Sequence, residues 1–300
     1  MPISRVRVIG MPLDLGADRR GVDLGPDALR HDGLLPAIQA LGLEVEDSGN
    51  LRPPPRPKIS SGSPKLKYYD EIVSACRDLK DCVTSAVQDG CFPLVLGGDH
   101  SIAIGTLAGL SACYKKIGLL WIDAHGDFNT DQTTLSGNIH GMSFAAALGI
   151  GNPELVTSMR QPTAILPERC ALIGARDIDP LEKTVLKNSG VTVFSMHEID
   201  TLGMYTVMQK ALKIVTNGSD TVHLSFDLDA LDPNDAPGVG FPLKGGLTFR
   251  EARLIMEMAA SSNLLGSLEV VELNPILDRQ NMTGKLAIDL IATALGKSLT

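Results

Sequence analysis

Three short apolar runs in this chain each end abruptly in acidic and imidazole side chains, and few folds can accommodate such runs. Ile117 to Ile122 is continuously apolar rather than alternating. A run of that length reads as a strand covered on both faces, the kind found inside a parallel sheet. It gives way at once to Asp123-Ala-His-Gly-Asp-Phe-Asn-Thr130. In extended backbone alternate side chains share a face, so Asp123, His125 and Asp127 converge where the strand ends. Val222 to Phe226 ends in the same way, in Asp227-Leu-Asp229, and Asp232-Pro233 stops the strand. Phe92 to Leu96 runs into Gly97-Gly98-Asp99-His100, where the paired glycines allow a tight turn under His100. Open α/β sheets form their sites at the carboxyl ends of strands.

One aspartate at a strand end is ordinarily a turn or cap residue. His100, Asp123, His125, Asp127, Asp227 and Asp229 together ask for more. If ionised, their four aspartates carry about four negative charges, which cannot be buried together unpaired. Two divalent cations balance them. Mixed carboxylate and imidazole ligands suit manganese, iron, cobalt or zinc better than calcium, which takes nearly all oxygens. A two-metal cluster is therefore expected. Asp99 and Asp232 fall outside the alternation and read as turn or supporting residues.

The rest of the chain frames this cluster. A net charge of −8 disfavours nucleic-acid and anionic-membrane surfaces and mildly favours a cationic substrate. The five cysteines are odd in number and form no CxxC pair, which reads as buried thiols in a reducing compartment. No signal-type leader and no 18-residue apolar run is evident, so a cytoplasmic enzyme is the expectation. Further strands are expected at 5–9, 43–45, 170–173, 191–194 and 267–271. Helices are expected from Pro26 to Leu41, Lys67 to Gln88, Ser101 onward, Met142 to Leu148, after His197, Thr248 to Ala260 and Gly284 to Leu295. Ser101 is the expected cap of its helix, and Thr248 with Glu251 has a capping-box spacing. Leu51 to Pro64, with five prolines, is an exposed loop, and 149–168 is irregular. Arg19 and Arg20 read as solvated surface residues, and His223 as structural. Eight strands alternating with helices mean a parallel α/β fold, with an open sheet and a TIM barrel both compatible.

GGDHS at 97–101, DAHGDFNT at 123–130, SGNIHGM at 136–142 and SFDLDALDP at 225–233 carry a resemblance. In this order and spacing they resemble the ureohydrolase family, and among its branches the arginases. The likeness extends from about Val8 to about Leu290. It implies a three-layer α/β/α fold with an eight-stranded, mostly parallel sheet, as one domain over residues 1–300. It further implies a hydrolase that cleaves the guanidinium group of L-arginine to L-ornithine and urea by a hydroxide bridging two Mn2+. His100, Asp123, Asp127 and Asp227 are implied ligands of one manganese, and Asp123, His125, Asp227 and Asp229 of the other. His140, Glu272 and Asp127 are the implied catalytic groups, His140 as a proton shuttle and Glu272 as the guanidinium acceptor. Asn129, Thr134 and Ser136 match residues that hold the substrate's α-carboxylate. Asp179, flanked by Asp177 and Glu182, matches one near the α-amino group. A homotrimer or homohexamer is implied, with no nucleic-acid or membrane partner.

The sequence departs from the arginase pattern in one place. Pro237-Gly-Val-Gly-Phe-Pro242 has Phe241 where a threonine is expected, a change that bears on catalytic efficiency and substrate size. Three alternatives accompany the arginase reading. They are another ureohydrolase of agmatinase or guanidinobutyrase type, a metal-dependent deacylase on the same fold, and a catalytically dead homologue. The last is disfavoured because every ligand position is filled.

Overall fold

The computed structural model describes residues 3–57, 61–157 and 164–298. Its strands are β1 (Arg5–Met11), β2 (Glu44–Asn50), β3 (Gly62–Ser63), β4 (Leu66–Lys67) and β5 (Phe92–Gly97). They continue with β6 (Ile117–Ile122), β7 (Ile165–Ile173), β8 (Thr192–Phe194), β9 (Thr221–Asp227) and β10 (Leu265–Val271). Its helices are α1 (Gly25–His31), α2 (Leu34–Gln39), α3 (Tyr69–Gln88), α4 (Ala103–Cys113), α5 (Ser143–Ala147) and α6 (Pro153–Thr157). After them come α7 (Pro180–Ser189), α8 (Met196–Leu202), α9 (Met204–Val215), α10 (Phe249–Ser261) and α11 (Met282–Ala294). Eight strands form one parallel sheet in the order β2-β1-β5-β10-β9-β6-β7-β8, and β3 with β4 makes a separate antiparallel hairpin. The open sheet decides against the barrel that periodicity alone allowed.

Why the apolar runs carry no alternation is plain from the layers. Leu120 and Ile122 face a core with helices α1, α2 and α8 to α11, while Leu119 and Trp121 face α3, α4 and α5. Every residue of β5, β6 and β9 is buried, because both of their faces are covered. No helix among the described residues is long and apolar enough to cross a membrane.

Departures from the sequence expectations fall at edges and junctions. The outermost strand β2 is seven residues long and largely exposed, so it lacks an apolar signature beyond 43–45. β7 begins at Ile165, inside the stretch expected to be irregular, and α6 lies there too. That stretch also includes 158–163, outside the described residues, as are 58–60 of the proline-rich loop. The helix expected from Pro26 to Leu41 is two helices, broken at Gly33, whose φ of 101° does not continue a helix. Lys67 belongs to β4 rather than to α3. Asp99, not Ser101, is the cap of the turn after β5, since its carboxylate accepts from Ser101 N. The Thr248–Glu251 capping box opens α10 as expected.

Candidate active site

The four strands whose ends carry the chemistry are neighbours: β5, β10, β9 and β6 lie side by side. Their carboxyl ends lead into His100, Glu272, Asp227 with Asp229, and Asp123 with His125 and Asp127. Two of these residues, Asp127 at φ 49° and Glu272 at φ 66°, adopt left-handed backbone that costs a non-glycine residue of order 1 kcal/mol. At Glu272 a hydrogen bond from its own N to Gly98 O accompanies this conformation.

The His100 ring lies flat on Trp121, centroids 4.2 Å apart, and Trp121 in turn stacks on Phe144. Its Nδ1 faces three carboxylate oxygens, 3.1 Å from Asp123 Oδ2, 3.0 Å from Asp127 Oδ2 and 3.3 Å from Asp227 Oδ2. This fully buried nitrogen nevertheless has no partner in acceptable hydrogen-bond geometry. Beside it, His125 Nδ1 lies 3.1 Å from Asp229 Oδ2 and 3.4 Å from Asp123 Oδ1. Ligand atoms of His100, Asp123 and Asp227 lie within 4.8 Å of one another, as do those of Asp123, His125 and Asp229. Asp127 belongs to neither trio but closes on His100 through its Oδ2.

Backbone donors aim these carboxylates. Asp123 accepts from His125 N and Trp121 Nε1, Asp227 from Asp229 N, and Asp229 from Ala124 N. Arg176 donates to the carbonyls of Asp229, Ala230, Leu231 and Leu243, pinning the turn after β9. The electrostatics are those of a cluster short of positive charge. Burial pushes Asp127 up to about 6, with the charge of Asp123 adding to it. Burial and the charges of Asp229 and Asp123 hold Asp227 well above the ordinary carboxylate range. Burial alone would lower His100, yet the three carboxylates that face it raise it far above an ordinary imidazole. An orphaned imidazole nitrogen, converging oxygens and competition for protons all fit divalent cations bound by oxygen and nitrogen.

Glu272 connects this cluster to His140. Its Oε1 accepts from His100 N at 3.0 Å and lies 3.1 Å from His140 Nδ1. Burial lowers His140, but the adjacent Glu272 carboxylate more than reverses this and lifts it to about 9. Phe241, 38% exposed, stands over both site histidines, its ring centroid 6.2 Å from that of His125 and 5.7 Å from that of His140. Arg19 donates to Gly240 O and its guanidinium lies 5.9 Å from the Phe241 ring. Arg19 is thus tied to the rim, and Arg20 pairs with Asp14 rather than standing free.

The loop after β6 carries the remaining candidates. Asn129 donates to Asp179 Oδ2 and accepts from Thr133 Oγ1, which links a residue expected at the substrate's α-carboxylate to one expected at its α-amino group. Thr134 Oγ1 accepts from Gly137 N, and Ser136 Oγ from Asn138 N. Asp177 is exposed. Glu182 is turned inward, where its oxygens accept from Phe128 N and Asp179 N, and burial raises it to about 7. It braces the pocket from behind and does not line its open face. Asp99 and Asp232 hold turns: Asp99 accepts from Gly16 N and Ser101 N, Asp232 from Asn234 N, Gly245 N and Gly246 N.

Sequence reasoning missed the support under His100. His100 Nε2 lies 2.7 Å from Ser225 Oγ, which donates to Glu269 Oε1 at 2.6 Å. His223 Nδ1 lies 2.8 Å from Ser267 Oγ, and its Nε2 lies 3.4 Å from Glu269. The signal was present: His223, Ser225 and Asp227 recur at period two in a strand whose every position is buried. Across the sheet they register with Ser267, Glu269 and Val271.

Comparison with known proteins agrees with this layout. The family model described as the arginase family matches residues 4–296. The chain is 49% identical over 294 residues to an arginase of Bacillus subtilis and 47% identical over 296 residues to one of Brevibacillus brevis. These alignments cover 98% and 99%, respectively, of both chains compared. A solved arginase structure from Bacillus caldovelox superposes with a TM-score of 0.95 at 45% identity, covering 99% of this chain and 100% of that one. Since the likeness runs nearly end to end and the site lies within it, the chain belongs to the arginase family, as an enzyme of the ureohydrolase type.

Proposed function

We propose that this chain hydrolyses L-arginine to L-ornithine and urea with two Mn2+ per chain. The observation that carries the reading is the pairing of Glu272 with His140 directly beside the cluster of aspartates and histidines. His100, Asp123, Asp127 and Asp227 would hold one ion, and Asp123, His125, Asp227 and Asp229 the other, with Asp123 and Asp227 shared. When bound, the pair supplies Lewis acidity that lowers the pKa of water at the site.

The protein's own residues do the rest. Glu272 accepts hydrogen bonds from the planar guanidinium and holds its carbon toward the carboxylate cluster. Water oxygen bonds to the guanidinium carbon while the bond from that carbon to the δ-nitrogen chain breaks. His140, protonated at neutral pH beside Glu272, gives a proton to the departing amine and regains one from water. Asn129, Thr134 and Ser136 receive the α-carboxylate, and Asp179 with Asp177 the α-amino group. One ureohydrolase domain, a trimeric or hexameric assembly and a cytoplasmic setting belong to the same reading.

The test is direct. The Mn2+-loaded protein is incubated with L-arginine, agmatine and guanidinobutyrate, and urea, ornithine and bound metal are measured. Fastest turnover of L-arginine with two ions per chain is expected. Preference for either other compound overturns the arginine assignment and favours the second reading, a different guanidino substrate, to which Phe241 in the rim lends support.

A further inference from the structure

The hairpin made by β3 and β4 grips the loop proposed to receive the substrate's carboxylate. The main chain makes the first contact: Lys67 N donates to Gly137 O at 3.0 Å. Packing makes the second. A Cβ added at Gly137 would fall 1.9 Å from Pro64 O, and Gly137 sits at φ 78°, so only glycine fits against the hairpin tip. Two lysines make the third. Lys65 Nζ donates to Thr134 O at 2.5 Å, and Lys67 Nζ to Asn138 Oδ1 at 3.2 Å and Asp18 Oδ1 at 2.7 Å.

The hairpin is itself anchored. Arg56, within the segment that precedes it, donates to Asp14 O at 2.6 Å, and its guanidinium stacks 4.7 Å from the ring of Tyr68, the residue after β4. Asp14 and Asp18 belong to the same turn, whose Gly16 O accepts from His140 N. Three segments distant in sequence, 14–18, 61–68 and 134–140, are thus locked together, with Lys67 bridging the first and the last.

We propose that Lys65 and Lys67 are positioning residues for recognition of the substrate's α-carboxylate. They hold the backbone of Thr134 to Asn138 in the shape that presents Thr134 and Ser136. The Lys65 ammonium also brings positive charge to a loop that must receive an anion, whereas that of Lys67 is balanced by Asp18. Neither lysine touches the aspartate cluster, so the effect is on binding of one end of the substrate and not on bond cleavage.

The inference rests on the L-arginine reading, and the experiment separates the two. Lys65→Met and Lys67→Met are compared with wild type in the Mn2+-loaded protein. KM and kcat for L-arginine are measured, together with the inhibition constant of agmatine, which lacks the carboxylate. Each variant should raise KM for L-arginine about tenfold, the loss of one charge-assisted hydrogen bond. It should leave kcat, metal content and the agmatine constant within twofold of wild type, and Lys67→Arg should restore most of the KM. Amide hydrogen exchange at 137–140 should speed up in Lys67→Met. A wild-type chain that leaves L-arginine intact overturns both readings. An active wild type with unchanged KM in the variants, or an equal rise in KM and the agmatine constant, overturns this one alone.

Discussion

Replacing Ser225 by alanine tests how the sheet interior controls the site at its edge. The Ser225 hydroxyl bridges His100 Nε2, at 2.7 Å, and Glu269 Oε1, at 2.6 Å, and all three residues are fully buried. With Nδ1 directed at the carboxylates and at the cation they are proposed to hold, Nε2 carries the ring proton, donates to Ser225, and Ser225 donates to Glu269. Alanine leaves the Nε2 proton without an acceptor and Glu269 with only the longer 3.4 Å approach of His223 Nε2, in a place water does not reach. Each buried group left unsatisfied costs about 1–3 kcal/mol, so a loss of about 2–6 kcal/mol in stability is expected. For a chain of this size that lowers Tm by about 3–10 °C. Supports of this kind under a metal-binding histidine change affinity by about 10–100-fold, so Mn2+ should bind correspondingly more weakly. Ser267→Ala is the control. It removes the partner of His223 at the far end of the same network without touching His100. It should lower Tm while leaving Mn2+ affinity within twofold. Calorimetric titration of Mn2+ into each metal-free variant, with melting curves of the same samples, decides the matter. Unchanged affinity in Ser225→Ala, or equal weakening in Ser267→Ala, would refute the reasoning.

Three further outcomes are expected. Asp123→Asn and Asp227→Asn should each bind less than two ions per chain by metal analysis and lose nearly all urea production, because Asp123 faces both His100 and His125 and Asp227 is the second carboxylate proposed to be shared. His140→Asn should keep both ions but lose about 10²–10⁴-fold in kcat, the usual contribution of a proton-transferring group; a loss below tenfold removes that role. Phe241→Thr should raise kcat/KM for L-arginine by up to about tenfold, the worth of one neutral hydrogen bond, with metal content unchanged. A fall instead makes the ring, which stands over His125 and His140, a working wall of this pocket.

Much of this protein is written locally. The apolar runs at 92–96, 117–122 and 222–226 specify buried parallel strands by themselves, because a strand covered on both faces needs no alternation. The six cation-seeking residues are legible for the same reason, as polar groups crowded where such runs stop. Edge strands are legible least: β2 is largely exposed, and little apolar burial marks its seven residues. Strand order is not in the local pattern at all. The chain makes β5, β6, β9 and β10 in that sequence, while the sheet arranges them β5-β10-β9-β6. Only this permutation puts Glu272 against His100 and His140, and Ser225 between His100 and Glu269. The grip of Lys65 and Lys67 on the loop at 134–138 is likewise tertiary, since it joins segments about seventy residues apart. Periodicity and turn chemistry act over a few residues, whereas these contacts depend on how whole layers pack. The sequence by itself determined which side chains could bind cations, and the packing of the layers decided which of them meet.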